Sequence, residues 1–175
     1  MGRDAIAFVF FADPHFGGGP RQREKVMSDQ STVIDAVRRV LGDTYTLYMK
    51  THGYHWNVTG PQFHSLHTLF EEQYTAMWQS LDEVAERLRS LGVTAPGSAR
   101  ELASLSQIEE GDNDVPSAQG MLQTLITDHQ KWLEGANAAL DAASDAGDAA
   151  TEDLLTPLIA EHEKTVWMLK SSLEG

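Results

Sequence analysis

The sequence predicts an all-α protein in which four long helices pack as a bundle, with one long crossover between the second and the third. Three observations carry that reading. Apolar residues recur at helical spacing in four separate stretches. No segment alternates apolar and polar residues with the period of two that a half-buried strand requires. The link between the second and third stretches is too long for a tight turn and suits a bundle with one crossover connection. At 175 residues and 41% hydrophobic content, the chain can bury one core and is short for two.

The first helix is expected from Val33 to near Val58, through Val37, Val40, Leu41, Thr44, Leu47 and Tyr48, with Thr32 and Asp35 placed as a capping pair. "TGP" (Thr59 to Pro61) then stops one helix and starts the next, because Pro61 suits a first turn where its missing N–H is not needed. The second helix carries Phe63, Leu66, Phe70, Tyr74, Met77, Leu81, Val84, Leu88 and Leu91, and Gly92 supplies a left-handed C-terminal cap. Turn residues bound the stretch Thr94 to Pro116, and "SARELASL" inside it predicts a short helix within the crossover. A third helix starts near Ser117, runs through Met121, Leu122, Leu125, Ile126, Trp132, Leu133 and Leu140, and is expected to fade in "DAASDAGDAA". The fourth takes Leu154, Leu155, Leu158, Ile159, Val166, Leu169 and Leu173.

Composition narrows the partners. A net charge of -13 and a pI near 4.8 disfavour nucleic acid on the folded body, since phosphate backbones demand clustered Lys and Arg, and favour cations. With no cysteine, any metal must be held by nitrogen and oxygen. No apolar run approaches the ~20 residues that span a bilayer. Residues 1–30 read as a flexible arm before a bundle domain of residues 31–175. The apolar "AIAFVFFA" (Ala5 to Ala12) is short, follows only Arg3 and Asp4, and precedes no small-residue cleavage site, so a secretory signal is disfavoured and Met27 is an alternative start.

Around the second helix the histidines and acids form a pattern. With His67 at the origin, Glu71, Asp82 and Glu86 fall at about 40°, about 60° and about 100°, one stripe beside the apolar face. Eleven residues of helical rise put Glu71 roughly 16 Å from Asp82, so one chain cannot gather all four on one metal. Two copies of this helix meeting antiparallel about a two-fold axis close the gap and create two identical sites, each pairing His67 and Glu71 with a neighbour's Asp82 and Glu86. His55, across the short turn, adds a nitrogen. Two imidazoles and three carboxylates suit ferrous iron, manganese or zinc. A bundle that binds its metals within one subunit would carry Glu-x-x-His on two helices, and this chain has none.

The segments "HWNV" (His55 to Val58), "FHSLHTLFEE" (Phe63 to Glu72) and "LDEVAERLRSLG" (Leu81 to Gly92) resemble the Dps-type miniferritins, DNA-binding proteins from starved cells. The likeness is close over the first two helices and looser over the remainder, from about Ser31 to Leu173. It implies a ferritin-like four-helix bundle with a short helix in the crossover, assembled as a hollow cytoplasmic homododecamer with nucleoid association in some members. It also implies a ferroxidase that oxidises Fe(II) at two-fold interfaces, preferentially with hydrogen peroxide, and stores the ferric mineral, protecting DNA. The family's iron ligands fall on His55, His67 and Glu71 of one subunit and on Asp82 and Glu86 of its partner; the family usually has Asp where Glu71 stands. Trp56 matches an aromatic beside the site that can relay oxidising equivalents, and Trp78 is expected near the two-fold axis as packing. Asp128 is the candidate acid for an iron inlet pore.

Each residue also has a plainer reading. Acids four apart on a long helix are usually a solvated face, and a lone His67 would more often be a hydrogen-bonded interface histidine. His52 and His64 read as surface residues or supports, while His15, His129 and His162 follow no pattern. An alternative function is a DNA-compacting nucleoid protein with secondary metal binding. Its only basic cluster is Arg21, Arg23 and Lys25, diluted by Glu24 and Asp29, and a dozen copies at -13 would carry a formal charge near -156. Weak or absent DNA binding is expected.

Overall fold

Residues Pro20 to Thr32 form a continuous helix rather than an arm. In a computed structural model, which describes residues 20–111 and 114–174, helix α1 spans Pro20–Asn57. Pro20 opens it where no N–H is missed, and Arg, Gln, Glu, Lys and Met propagate it with little loss of rotamer freedom. Thr32 therefore caps nothing: its hydroxyl donates to the Ser28 carbonyl at 3.0 Å, one turn back inside the helix. The expected boundary at residue 30 falls in mid-helix, and the expectation for residues 1–19 lies outside the described residues. Apolar periodicity missed this start because residues 24 to 28 are exposed all round.

Helix α2 spans Phe63–Ser90, α3 Ala99–Leu105, α4 Ala118–Ala146 and α5 Ala149–Leu173; among the described residues there is no strand. Gly92 (φ 86°) ends α2 as expected, with its N–H donating to the Arg89 carbonyl. Ser98 and Ser117 cap α3 and α4 by accepting from the N–H groups of Glu101 and Gly120. The small, acidic stretch does not end α4. Ala143 within it is fully buried, as are Ala136 and Ala139 just before it, and alanine is the best helix former, so the helix holds to Gly147, whose φ of 69° is the left-handed stop. Asp148 then caps α5, accepting from Thr151 N at 3.1 Å, so only two residues join the last two helices.

Pairing follows from contacts of known order. On α1, Lys50, Thr44 and Asp43 face Asp128, Trp132 and Gly135 on α4, rising numbers against falling ones, so the two helices are antiparallel. Each short turn makes another antiparallel pair, α1 with α2 and α4 with α5. The crossover brings α4 back parallel to α2. Phe70, Leu47, Leu88, Leu122, Leu125, Trp132, Leu155 and Leu169 fill the space between, each worth about 1.5–3 kcal/mol of burial. Trp132 Nε1–H donates to Thr44 Oγ1 at 2.8 Å, so the indole is buried without an orphaned donor.

Gly42 is the seat of the crossover. A Cβ there would stand 2.8 Å from both the Leu102 carbonyl oxygen and the Leu105 Cβ, so the missing side chain is what lets α3 lie against α1. One residue on, the buried Asp43 carboxylate accepts from Ser106 Oγ at 2.9 Å and from Gln107 N at 2.6 Å, fixing the chain as it leaves α3. At the other end of α2, Arg87 donates to Asp148 Oδ1 at 2.6 Å and to Thr151 Oγ1 at 2.8 Å, tying α2 to the α4–α5 turn. No helix among the described residues is long and apolar enough to cross a membrane.

Candidate metal centre

The turn after α1 brings its last helical turn beside the first turns of α2. Gly60 takes φ 108°, and the Phe63 N–H donates back to the Gly60 carbonyl at 3.0 Å, which starts α2 after only five intervening residues. His55 and His67 thereby meet. Their rings stack with centroids 3.7 Å apart and planes 20° from parallel. His55 Nδ1 lies 2.8 Å from the His67 carbonyl oxygen, and His67 Nδ1 lies 2.8 Å from the His55 carbonyl oxygen. A carbonyl can only accept, so both Nδ1 atoms carry protons. In the neutral rings both Nε2 atoms then present lone pairs, the form in which histidine ligates a metal. His55 is buried, and Phe63 covers the His67 ring at 5.1 Å.

The acids are placed differently. Glu71, Asp82 and Glu86 are all exposed on α2, off the face buried by Leu66, Phe70, Met77, Val84 and Leu88. None makes an ion pair or hydrogen bond among the described residues. Nowhere among those residues do three His, Asp or Glu side chains of one chain converge as a metal cage. One chain thus brings His55 and His67 together and leaves Asp82 and Glu86 far along the same helix.

Between the two groups runs an aromatic ladder whose spacing was legible but went unread. Tyr48, His52 and Trp56 recur every four residues on α1, and Tyr74 and Trp78 do so on α2. His52, expected as a surface residue or a support, is half-buried at its centre, stacked on Tyr74 with centroids 3.9 Å apart and 4.3 Å from the Trp56 ring. Tyr48 continues it to Trp78 at 5.7 Å. Desolvation, and then the charge of His55, hold the His52 pKa below its ordinary value. Trp56 and Trp78 are 61% and 62% exposed, so the ladder leaves a large apolar edge on this face of the single chain.

Asp128, expected as a pore acid, is buried within the single chain and accepts from the buried Lys50 ammonium at 2.5 Å. A buried carboxylate needs such a partner, and this one binds α4 to α1.

The ferritin-like domain family matches residues 34–175 of this chain. Among curated relatives, a low temperature-induced protein of Nostoc is 42% identical over 144 residues, spanning 82% of this chain and 80% of that protein. DNA protection during starvation protein 2 of Bacillus anthracis is 34% identical over 81% of this chain and 96% of its own length. The chain is a Dps-type member of the ferritin-like family. The crystal structure of the Dps protein of Vibrio cholerae, described as belonging to the ferritin-like diiron-carboxylate proteins, superposes with a TM-score of 0.79 at 33% identity, over 83% of this chain and 91% of that one. This Dps-type bundle shares its helical architecture, and His55 and His67 face each other where its first two long helices adjoin.

Proposed function

We propose that this protein is an iron-storage and detoxification shell, a homododecamer that oxidises ferrous iron at its two-fold interfaces, preferentially with hydrogen peroxide, and keeps the ferric product inside. The observation that carries the reading is the mutual lock of His55 and His67, which leaves two imidazole lone pairs and too few neighbours to finish a cage. A second copy with its α2 antiparallel brings Asp82 and Glu86 to His67 and Glu71 and completes two equivalent sites. The exposed Trp56 and Trp78 edge supports that face as the contact, since aromatic residues anchor protein interfaces.

Iron is the substrate. Imidazole nitrogens receive the ferrous ion, and the carboxylates of Glu71, Asp82 and Glu86 favour the harder ferric product. Each peroxide accepts two electrons, one from each of two ferrous ions, as its O–O bond breaks. Hydrolysis of the two ferric ions to oxyhydroxide, with two further waters, releases four protons. Glu71 reaches one methylene further than the Asp usual in the family, which shifts the metal position without removing the donor. Trp56, beside His52, is placed to take an oxidising equivalent that escapes the iron. Consumption of ferrous iron and peroxide together removes the reactants of hydroxyl-radical chemistry and so protects DNA in the cytoplasm without contact.

The deciding experiment measures the assembled mass and then the rate of ferrous oxidation with peroxide and with oxygen, in wild type and in His67→Ala/Asp82→Ala. A dodecameric mass, rapid peroxide-driven oxidation and loss of that rate in the variant are expected. A monomer, or an unchanged rate in the variant, would sink the proposal.

A further inference from the structure

A second group of histidines lies inside the bundle. His129 on α4 and His162 on α5 face each other with Nδ1 atoms 2.9 Å apart, and the Trp132 ring stacks on His162 with centroids 3.6 Å apart and planes 14° from parallel. His129 is 1% exposed and its Nε2 has no partner; Gln73 on α2 is 8% exposed, and neither its amide nitrogen nor its oxygen has one. His129, His162 and Gln73 line one cavity of about 120 Å³ between α2 and α5, with Glu72, Glu161 and Lys164 also in its wall. Buried polar atoms in folded proteins are almost always satisfied, so three orphans around one cavity ask for an occupant.

We propose that this cavity binds one divalent first-row transition ion within each subunit, with His129 Nε2 as the nitrogen donor and Gln73 Oε1 as an oxygen donor. An ion on His129 Nε2 would fix the direction of the bond between the two rings, with His129 Nδ1–H donating to His162 Nδ1. His162, clamped by Trp132, is then a positioning residue that orients the ligand ring, as outer partners of metal-bound histidines do. Glu72 and Glu161 supply negative charge that outweighs Lys164, and water fills the other coordination positions in a cavity wide enough to hold it. This site is separate from the proposed interface site and does not depend on it.

Zinc titration by calorimetry of the full-length His67→Ala/Asp82→Ala protein tests the inference. One equivalent per subunit should remain, vanish in the same background with His129→Asn or Gln73→Leu, and bind about tenfold tighter with Gln73→Glu, which adds a carboxylate. Helical circular dichroism establishes that each variant folds, and Gln73→Leu, close in volume, carries the test if His129→Asn does not. Crystals soaked in cobalt should give an anomalous peak beside His129 Nε2. No residual equivalent, a residual equivalent indifferent to both substitutions, or ordered water alone at that position overturns the proposal.

Discussion

His55 and His67 each donate Nδ1–H to the other's backbone carbonyl, so neither ring can turn without breaking the bond it makes to its neighbour. Removing one ring deletes a ligand and strips away the ring stacked on its partner, although the partner keeps its carbonyl acceptor. His67→Ala should weaken ferrous binding by about 10–100-fold or more, the usual cost of losing an orienting partner alone. Calorimetric iron titration under anaerobic conditions measures it, and a change below twofold would contradict the role.

Mixing tells a shared site from a private one. Take His67→Ala and Asp82→Ala subunits, dissociate them, and reassemble an equal mixture. In a random mixture half the two-fold pairs are heterodimers, and each heterodimer restores one of its two sites, so roughly a quarter of wild-type oxidation should return. Sites built within one chain would recover nothing.

Gly42→Ala should destabilise the protein by about 1–3 kcal/mol, because its Cβ would press on α3. The sign is diagnostic. In an exposed helix interior the same change stabilises by about 1 kcal/mol. A thermal melt that rises instead of falling would show that the crossover helix does not rest on α1.

Asp148→Ala removes the α5 cap and the Arg87 tie together, for a loss of about 1–2 kcal/mol. Its native pKa is lowered by the Arg87 and Thr151 bonds, which outweigh the opposing effect of burial. That stability is complete above the ordinary carboxylate pKa and disappears as pH falls through the lowered one. Chemical denaturation of wild type and Asp148→Ala should thus converge only in strong acid.

His129 gives a second pH dependence of the same sign in a milder range. Its pKa is depressed from 6.5 to about 3 by burial, so below 6.5 the unfolded chain binds a proton that the folded one refuses. Stability should fall by about 1.4 kcal/mol per pH unit for this residue between those limits. Denaturant midpoints from pH 7 to pH 4 should show a shallower slope in His129→Gln.

The four-helix pattern was legible because each helix buries one stripe, and His55 with His67 was legible because a five-residue turn leaves their helix ends no choice but to adjoin. The start of α1 was not, since residues 24 to 28 are exposed all round and leave no apolar period to read. Asp128 needed Lys50, 78 residues away, and His129 needed His162, 33 residues away. Spacing along one helix cannot announce a partner on another. The hydrophilic stretch at the end of α4 misled for a related reason: alanine looks neutral in a pattern yet packs fully when helices come close.

The roughly 16 Å that separates the imidazole half from the carboxylate half has a consequence for timing. On the proposed reading, a newly made chain is inert toward ferrous ions until it docks with another, so the chemistry switches on only once assembly toward a shell has begun. Division of the catalyst acts as an interlock, sparing the cell loose ferric precipitate from unassembled protein.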